Sequence, residues 1–281
     1  MYEVIFLWLL GLLFIVFAVI QDLKTKEIDN WISFALIIFA LGFRFFFSLF
    51  NADFEFFYSG LIGFGVFFVL GNVLYYSRVF AGGDAKLMIG LGAVLAPPMM
   101  SAIFSSFFNF ILIFLSVGFL YTIITSIYLC AKNFRAFKKE FFVLLRKNKK
   151  IMCLIILASI ILVIIGFFEK LFLVLGVMIF IVSYLYIYSK AVDETCIIRK
   201  IKTKNLREGD WLYSDLKIGK KMIKAKWDGV TKREIKEIMG KFKEVRIREG
   251  IPFSPVFLIS LIIFIIFEIL QISLWNSFWQ P

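Results

Sequence analysis

Long uncharged apolar runs dominate the chain, and short polar segments separate them. Eight runs stand out, over residues 3–20, 31–50, 56–77, 86–96, 103–131, 151–168, 171–189 and 253–275. A helix needs about 20 apolar residues to cross a bilayer, so these runs predict transmembrane helices. The fourth is short for a span and fits one only if its start is recessed into the protein. Pro97-Pro98 ends it, because proline cannot continue a helix. Only Glu169-Lys170 separates the sixth run from the seventh, which predicts a tight helical hairpin. The first run does not have the form of a cleavable signal peptide. Glu3 stands where a basic n-region would be, and no small-residue cleavage site follows, so the run is expected to be the first membrane helix.

Between the seventh and eighth runs the pattern changes. Thr231-Lys232-Arg233-Glu234 has capping-box spacing, and Ile235 and Ile238 follow at helical spacing. This predicts a helix over 232–239 that ends at Gly240. Glu244-Val245-Arg246-Ile247-Arg248 alternates as a strand does, and 206–216 reads as strand and turn. Residues 132–150 alternate basic and aromatic side chains at helical spacing, the pattern of an amphipathic interfacial helix. The expected fold is therefore an all-α polytopic membrane protein of about eight transmembrane helices with a small cytoplasmic α+β domain. The expected division is a transmembrane core over 1–131, a basic amphipathic loop over 132–150, an additional hairpin over 151–190, the α+β domain over 191–252 and a last transmembrane helix over 253–278.

Composition supports the membrane assignment. The chain is 61% hydrophobic, where soluble domains are about 45–50% apolar. Charge placement then orients it. Of 32 basic residues, eight lie in 132–150 and eighteen in 190–252, while Lys24, Lys26, Arg78 and Lys86 flank the loops after the first and third runs. With eight spans, all four of these segments fall on one side, and the segments on the other side are acidic or neutral. Both termini are therefore expected outside the cell membrane and the basic loops inside. The basic excess is met most simply by the anionic leaflet, and no nucleic-acid motif accompanies it.

Histidine is absent, which excludes Ser-His-Asp, Cys-His and HExxH mechanisms. Cys130, Cys153 and Cys196 are scattered, so neither a cysteine zinc site nor a disulfide framework is expected. Two carboxylates remain in unusual places. Asp84 sits in Ala81-Gly82-Gly83-Asp84-Ala85-Lys86, where a long apolar run opens, and Asp22 sits in Ile20-Gln21-Asp22-Leu23-Lys24, where the first run ends. Acids at membrane depth mark functional sites. By the charge pattern, both lie at the cytoplasmic end of their helices. Two carboxylates can hydrolyse a peptide bond without a metal: one takes a proton from a water as it attacks, and the other protonates the carbonyl oxygen. Like charges at short range split the two titrations, so one acid keeps its proton. Gly82 and Gly83, lacking Cβ, would let the backbone turn sharply between the third and fourth runs, let a substrate strand approach, and let helix ends pack near one another. The plainer reading of Gly-Gly-Asp is a turn with no chemistry.

These residues resemble a known family. Ala81-Gly82-Gly83-Asp84 is similar to the GxGD motif of the membrane-embedded aspartic peptidases that process type IV prepilins and archaeal preflagellins. Asp22-Leu23-Lys24-Thr25-Lys26-Glu27-Ile28-Asp29-Asn30 looks like that family's other aspartate with its following basic residue and Ile-x-Asn element. Leu206-Arg207-Glu208-Gly209-Asp210, Trp227-Asp228-Gly229-Val230-Thr231 and Glu249-Gly250-Ile251-Pro252-Phe253 are similar to the C-terminal region of the archaeal branch. The resemblance implies a six-helix GxGD peptidase core, to which the hairpin over 151–190 is an addition. It implies Asp22 and Asp84 as the catalytic pair, no cofactor and no metal. The implied substrate is a prepilin-like or preflagellin-like precursor whose short basic leader is cut at the cytoplasmic membrane face. A catalytically idle relative that binds pilins or aids assembly is the alternative.

The first motif glycine is Ala81 here, which is harmless unless that backbone needs positive φ. The cysteine-rich zinc loop of bifunctional members is missing, which argues against N-methyltransferase activity. Glu27 and Asp29 are candidates to receive the leader's positive charge, or are simply solvated loop acids. Lys86 would tune the dyad, bind phospholipid or snorkel. Glu268, in the last run, is left out of the site, and Asn72 and Asn109 read as interhelical hydrogen-bonders.

Overall fold

A computed structural model describes residues 2–219, 221–227 and 229–274. It is mostly helical. In chain order it contains α1 (Tyr2–Thr25), α2 (Asn30–Asn51), α3 (Glu55–Tyr76), α4 (Gly82–Leu95), α5 (Ile103–Lys132), α6 (Phe134–Lys147), α7 (Lys149–Ile165) and α8 (Lys170–Val192). There follow β1 (Ile198–Lys202), β2 (Trp211–Leu212), β3 (Leu216–Ile218), β4 (Lys221–Ile223), α9 (Lys232–Met239), β5 (Glu244–Arg248) and α10 (Ser254–Ile269).

Each of the eight apolar runs contains a helix, but they are not equivalent. Among the described residues α1, α2, α3, α5 and α8 are long and apolar enough to cross a membrane, and the bent pair α6–α7, with 77° between its halves, would make a sixth. The helix α4 has 14 residues and α10 has 16, both shorter than a span. The end of the expected eighth run, at 275, lies outside the described residues. The chain is thus a multi-pass membrane protein with five or six candidate spans and a small α+β region.

It divides into two compact units, residues 1–122 with 251–281 and residues 123–250. In the first unit α4 is the interior helix. Nine of its residues are buried, among them Leu87, Met88, Leu91, Val94 and Leu95. Small residues let its neighbours approach. A Cβ on Gly92 would run into the Gly63 carbonyl of α3, and one on Gly63 into the Gly92 carbonyl, so the two backbones touch there. Aromatic rings fill the space beyond, with Phe67 edge-on to Phe107 at 5.1 Å and Phe110 edge-on to Phe264 at 5.7 Å. Before Pro97 the chain leaves α4 through Ala96 in extended conformation (φ −61°, ψ 126°), as a residue preceding proline must.

In the second unit, α6 is the amphipathic helix expected within 132–150. Its apolar side, Phe137, Phe141, Leu144 and Leu145, packs with Tyr184 and Ile187 of α8. The hairpin of α7 and α8 is joined where the Ser159 hydroxyl donates to the Gly176 carbonyl at 2.8 Å. The helix over 232–239 has the expected bounds, and its capping box is formed in both directions. The expected strand over 244–248 is β5, the centre of an antiparallel sheet of order β1-β5-β2, while β3 and β4 form a separate hairpin. The strand β1 was not anticipated from sequence. A second core of Leu206, Leu212, Ile223, Val230, Ile235, Ile238, Val245 and Ile247 closes this part. Two of the stretches that carried the resemblance meet here. Gly209 N–H donates to the Val230 carbonyl at 2.9 Å, and Trp211 stacks on Trp227 at 4.2 Å. Asp228, in the second stretch, lies outside the described residues. Cys130, Cys153 and Cys196 are free thiols.

Candidate active site

The site is built from three helix ends of the first unit. Asp22 lies in the last turn of α1 and is buried, with 7% of its surface exposed. The opening of α10 faces it: the Ser254 N–H donates to Asp22 Oδ2 at 3.2 Å. The first N–H groups of a helix have no partner within it, and the helix dipole favours an anion there. Pro255 follows, and with its fixed φ and missing N–H it suits the first turn of a helix. The Ser254 hydroxyl is also buried and has no partner among the described residues.

Asp84 is the third residue of α4 and is partly buried. Its carboxylate accepts from the backbone N–H of Ala81, which precedes the helix. This is the reach-back half of a capping box, with an acid where the dipole favours one. Asp22 and Asp84 are close enough for their charges to interact. The two carboxylates singled out from sequence, 62 positions apart, therefore come together.

Of the uses expected for the glycines, the structure shows close packing at Gly83 and not the turn. The reversal between α3 and α4 lies upstream, where Arg78 has left-handed φ of 63° and Phe80 N–H bonds back to the Leu74 carbonyl. Gly82 and Gly83 belong to the first turn of α4. A Cβ on Gly83 would stand 3.1 Å from Ile28 Cβ, so Gly83 is where the segment after α1 lies against α4. Ala81 has φ of −69°, a conformation open to any residue, so its methyl group creates no strain there.

Of the remaining sequence candidates, Lys86 and Asp29 each make polar side-chain contacts. Lys86 Nζ donates to Asn30 Oδ1 at 2.6 Å, which ties α4 to the start of α2. Asp29 is exposed and pairs with Gln21, whose amide N–H group donates to Asp29 Oδ2 and whose Oε1 accepts the Asp29 N–H at 2.9 Å. Glu27 is exposed. Beside the site, on the side of Lys86, lies a groove of about 390 Å³, walled by Phe34, Phe64, Phe68 and Ile89 with Asn72 and Tyr75 at its polar end. Among the described residues no group of three or more Cys, Asp or Glu could hold a metal ion. Sequence reasoning missed Gln21, Asn30 and Ser254. Asn30 stands in a quoted motif without an assigned partner, and Ser254-Pro255 is a helix-start signal whose target is 232 positions away.

Two acids from separate helix ends of a multi-pass membrane protein, one buried and one partly buried, thus lie within reach of each other's charge. Comparison with known proteins goes further. Residues 8–129 match the model of the type IV leader peptidase family. The preflagellin peptidase of Methanococcus maripaludis is 32% identical over 99 residues, which are 35% of this chain and 42% of that protein. Those of Methanocaldococcus jannaschii and Methanococcus voltae are 33% and 30% identical over 88 and 97 residues, covering 31% and 34% of this chain and 37% and 41% of the relatives. The chain thus spans about two fifths of the length of the curated relatives it matches. No solved structure matches it.

Proposed function

We propose that this chain is a membrane-embedded aspartic endopeptidase. It removes the short basic leader of type IV pilin-like or archaeal flagellin-like precursors at the cytoplasmic membrane face. The observation that carries the proposal is the meeting of Asp22 and Asp84 in a segment that matches the leader peptidase family. In this reading a water lies between the two carboxylates. The ionised acid removes its proton as the oxygen attacks the scissile carbonyl, and the protonated acid gives its proton to the carbonyl oxygen. The resulting tetrahedral intermediate collapses as the amide nitrogen takes a proton and leaves. The dyad titrates as a pair, so neither aspartate is assigned a single role. The Ser254 N–H donates to Asp22 and the Ala81 N–H to Asp84, which fixes how each carboxylate is oriented.

The finer topology belongs to the same proposal. Eight membrane-embedded helices, with α4 and α10 recessed, place both termini outside and the basic loops inside, against the anionic leaflet. Glu27, exposed in the segment after α1, meets the leader's basic residues, while Asp29 is shared with Gln21.

The test is co-expression with a tagged prepilin or preflagellin, followed as a shift in precursor size. Wild type is expected to cleave, and Asp22→Asn and Asp84→Asn to slow cleavage by at least about a hundredfold each. The rate should fall on both sides of a pH optimum, since one acid must be protonated and the other ionised. Cleavage that survives either substitution would sink the dyad. A folded wild type that cleaves no precursor would favour the idle, pilin-binding relative.

A further inference from the structure

Arg44 is fully buried in the middle of α2, within an apolar run, and no acid pairs with it among the described residues. A buried charge costs several kcal/mol unless hydrogen bonds replace its water. Here they do, and two of the four converge on one helix end. Nε donates to the Ala93 carbonyl at 2.8 Å and Nη2 to the Ala96 carbonyl, both at the C-terminal end of α4. Nη1 donates to the Phe56 carbonyl at 2.8 Å and to Ser59 Oγ at 3.1 Å on α3. The guanidinium also lies 4.3 Å from the centre of the Phe56 ring.

The last carbonyls of a helix have no partner within it, and Pro97-Pro98 supplies no N–H to cap them. Arg44 provides that cap, with a positive charge where the helix dipole is negative. Gly60 makes room for it, because any Cβ there would run into Arg44 Cδ. A pin of this kind is needed because the α3–α4 contact is made of small residues. Gly63 meets Gly92, and a Cβ on Gly71 would stand 2.9 Å from the Ala85 carbonyl. Backbones that touch through glycines pack closely but interlock few side chains, so at the α3–α4 contact itself the Arg44 hydrogen bonds are a directional tie along the helix axis.

We propose that Arg44 is a positioning residue for Asp84. It fixes the axial register of α4 from one end and thereby sets where the carboxylate at the other end stands relative to Asp22. The two ends of α4 are about 21 Å apart. The catalytic consequence rests on the peptidase reading above, whereas the register itself does not.

Two readouts separate these. In full-length chain carrying Cys130→Ser, Cys153→Ser and Cys196→Ser, the pair Ile28→Cys and Gly83→Cys reports register, because the two Cβ positions are 3.1 Å apart. In membranes, Arg44→Met is expected to slow oxidative cross-linking of that pair by at least about fivefold. In the otherwise unaltered chain, Arg44→Met should lower kcat per folded molecule by about ten- to a hundredfold, the scale of an ångström-sized misplacement, with KM little changed. Arg44→Lys, which can still reach one of the two α4 carbonyls, should recover part of both. Gly60→Ala, which displaces the guanidinium without removing charge, should reproduce the slower cross-linking if Arg44→Met does not fold. Cross-linking and kcat per folded molecule at wild-type values in Arg44→Met would overturn the proposal and leave Arg44 a packing residue. If wild type cleaves no precursor while Arg44→Met still slows the cross-link, the register role stands and the peptidase reading falls.

Discussion

The helix α4 and the hairpin of α7 and α8 both come from apolar runs, yet the fold uses them in opposite ways. Of the 14 residues of α4 nine are buried, whereas of the 17 of α7 only Met152 and Ser159 are. The difference lies in side-chain size. Gly90, Gly92 and Ala93 let α2 and α3 close over α4, while the isoleucines and leucines of α7 present broad surface suited to lipid. Length agrees, since α4 extends about 21 Å against a hydrocarbon core of about 30 Å. Apolar composition therefore says that a helix leaves water. Residue size says whether protein or lipid receives it, and only the helix that protein receives can hold a carboxylate in fixed geometry.

The severest test of that contrast is Gly92→Leu. The new side chain would meet the Gly63 carbonyl and Phe67, in a place where backbones already touch. Overpacking of this kind costs about 1–3 kcal/mol and sometimes more. The expected result is loss of precursor cleavage together with a lowered midpoint of unfolding in detergent. A variant that unfolds at the wild-type midpoint would show that α4 is not the interior helix described above.

Gly176→Leu is the matching change in the hairpin. A Cβ there stands 2.9 Å from the Ser159 carbonyl and 2.9 Å from Val163 Cγ2. Because most side chains of α7 and α8 are exposed, the pair can splay, and the cost should fall near the lower end of the same range, about 1 kcal/mol. Cleavage per folded molecule should be unchanged. If this variant loses cleavage as Gly92→Leu does, the hairpin is not a bystander and the comparison fails.

Much of this arrangement was legible in the sequence, and the reasons are local. Apolar runs located the helices, Glu169-Lys170 marked the hairpin, and Thr231 with Glu234 announced the start of α9. Acids at the ends of apolar runs pointed to Asp22 and Asp84, because their cost is visible in one dimension. What was not legible depends on contacts far apart in sequence. Nothing around Arg44 indicates that its partners are the carbonyls of residues 93 and 96. Nothing around Ser254 points to Asp22. Gly82 and Gly83 were read as a turn because glycine permits one, but the left-handed residue that makes the reversal is Arg78. The strand β1 was missed because its sequence, Ile-Arg-Lys-Ile-Lys, places its isoleucines three apart and so lacks strand alternation, and its register is imposed by β5.

The smallest expected effect lies outside both apolar regions, at α9. There the Glu234 N–H donates to Thr231 Oγ1 at 3.3 Å and the Thr231 N–H to Glu234 Oε2 at 2.9 Å. Thr231→Ala should cost about 1 kcal/mol, read as about fivefold faster amide hydrogen exchange in α9 with no change in cleavage. The Thr231 N–H also holds the Glu234 carboxyl below its ordinary value of 4.5, assisted by Lys226. A carboxyl lowered in the folded state stabilises fully above its unfolded value, and that stabilisation is lost as pH falls through the folded one. Exchange protection in α9 should therefore be level from neutral pH down to about 4.5 and decline below it, after correction for the intrinsic exchange rate. Glu234→Gln should remove that contribution to the acid-side decline. Protection in the glutamine variant that falls with acid as steeply as in wild type would assign the effect to another carboxylate. It would also leave the hydroxyl of Thr231 as the part of the cap that matters.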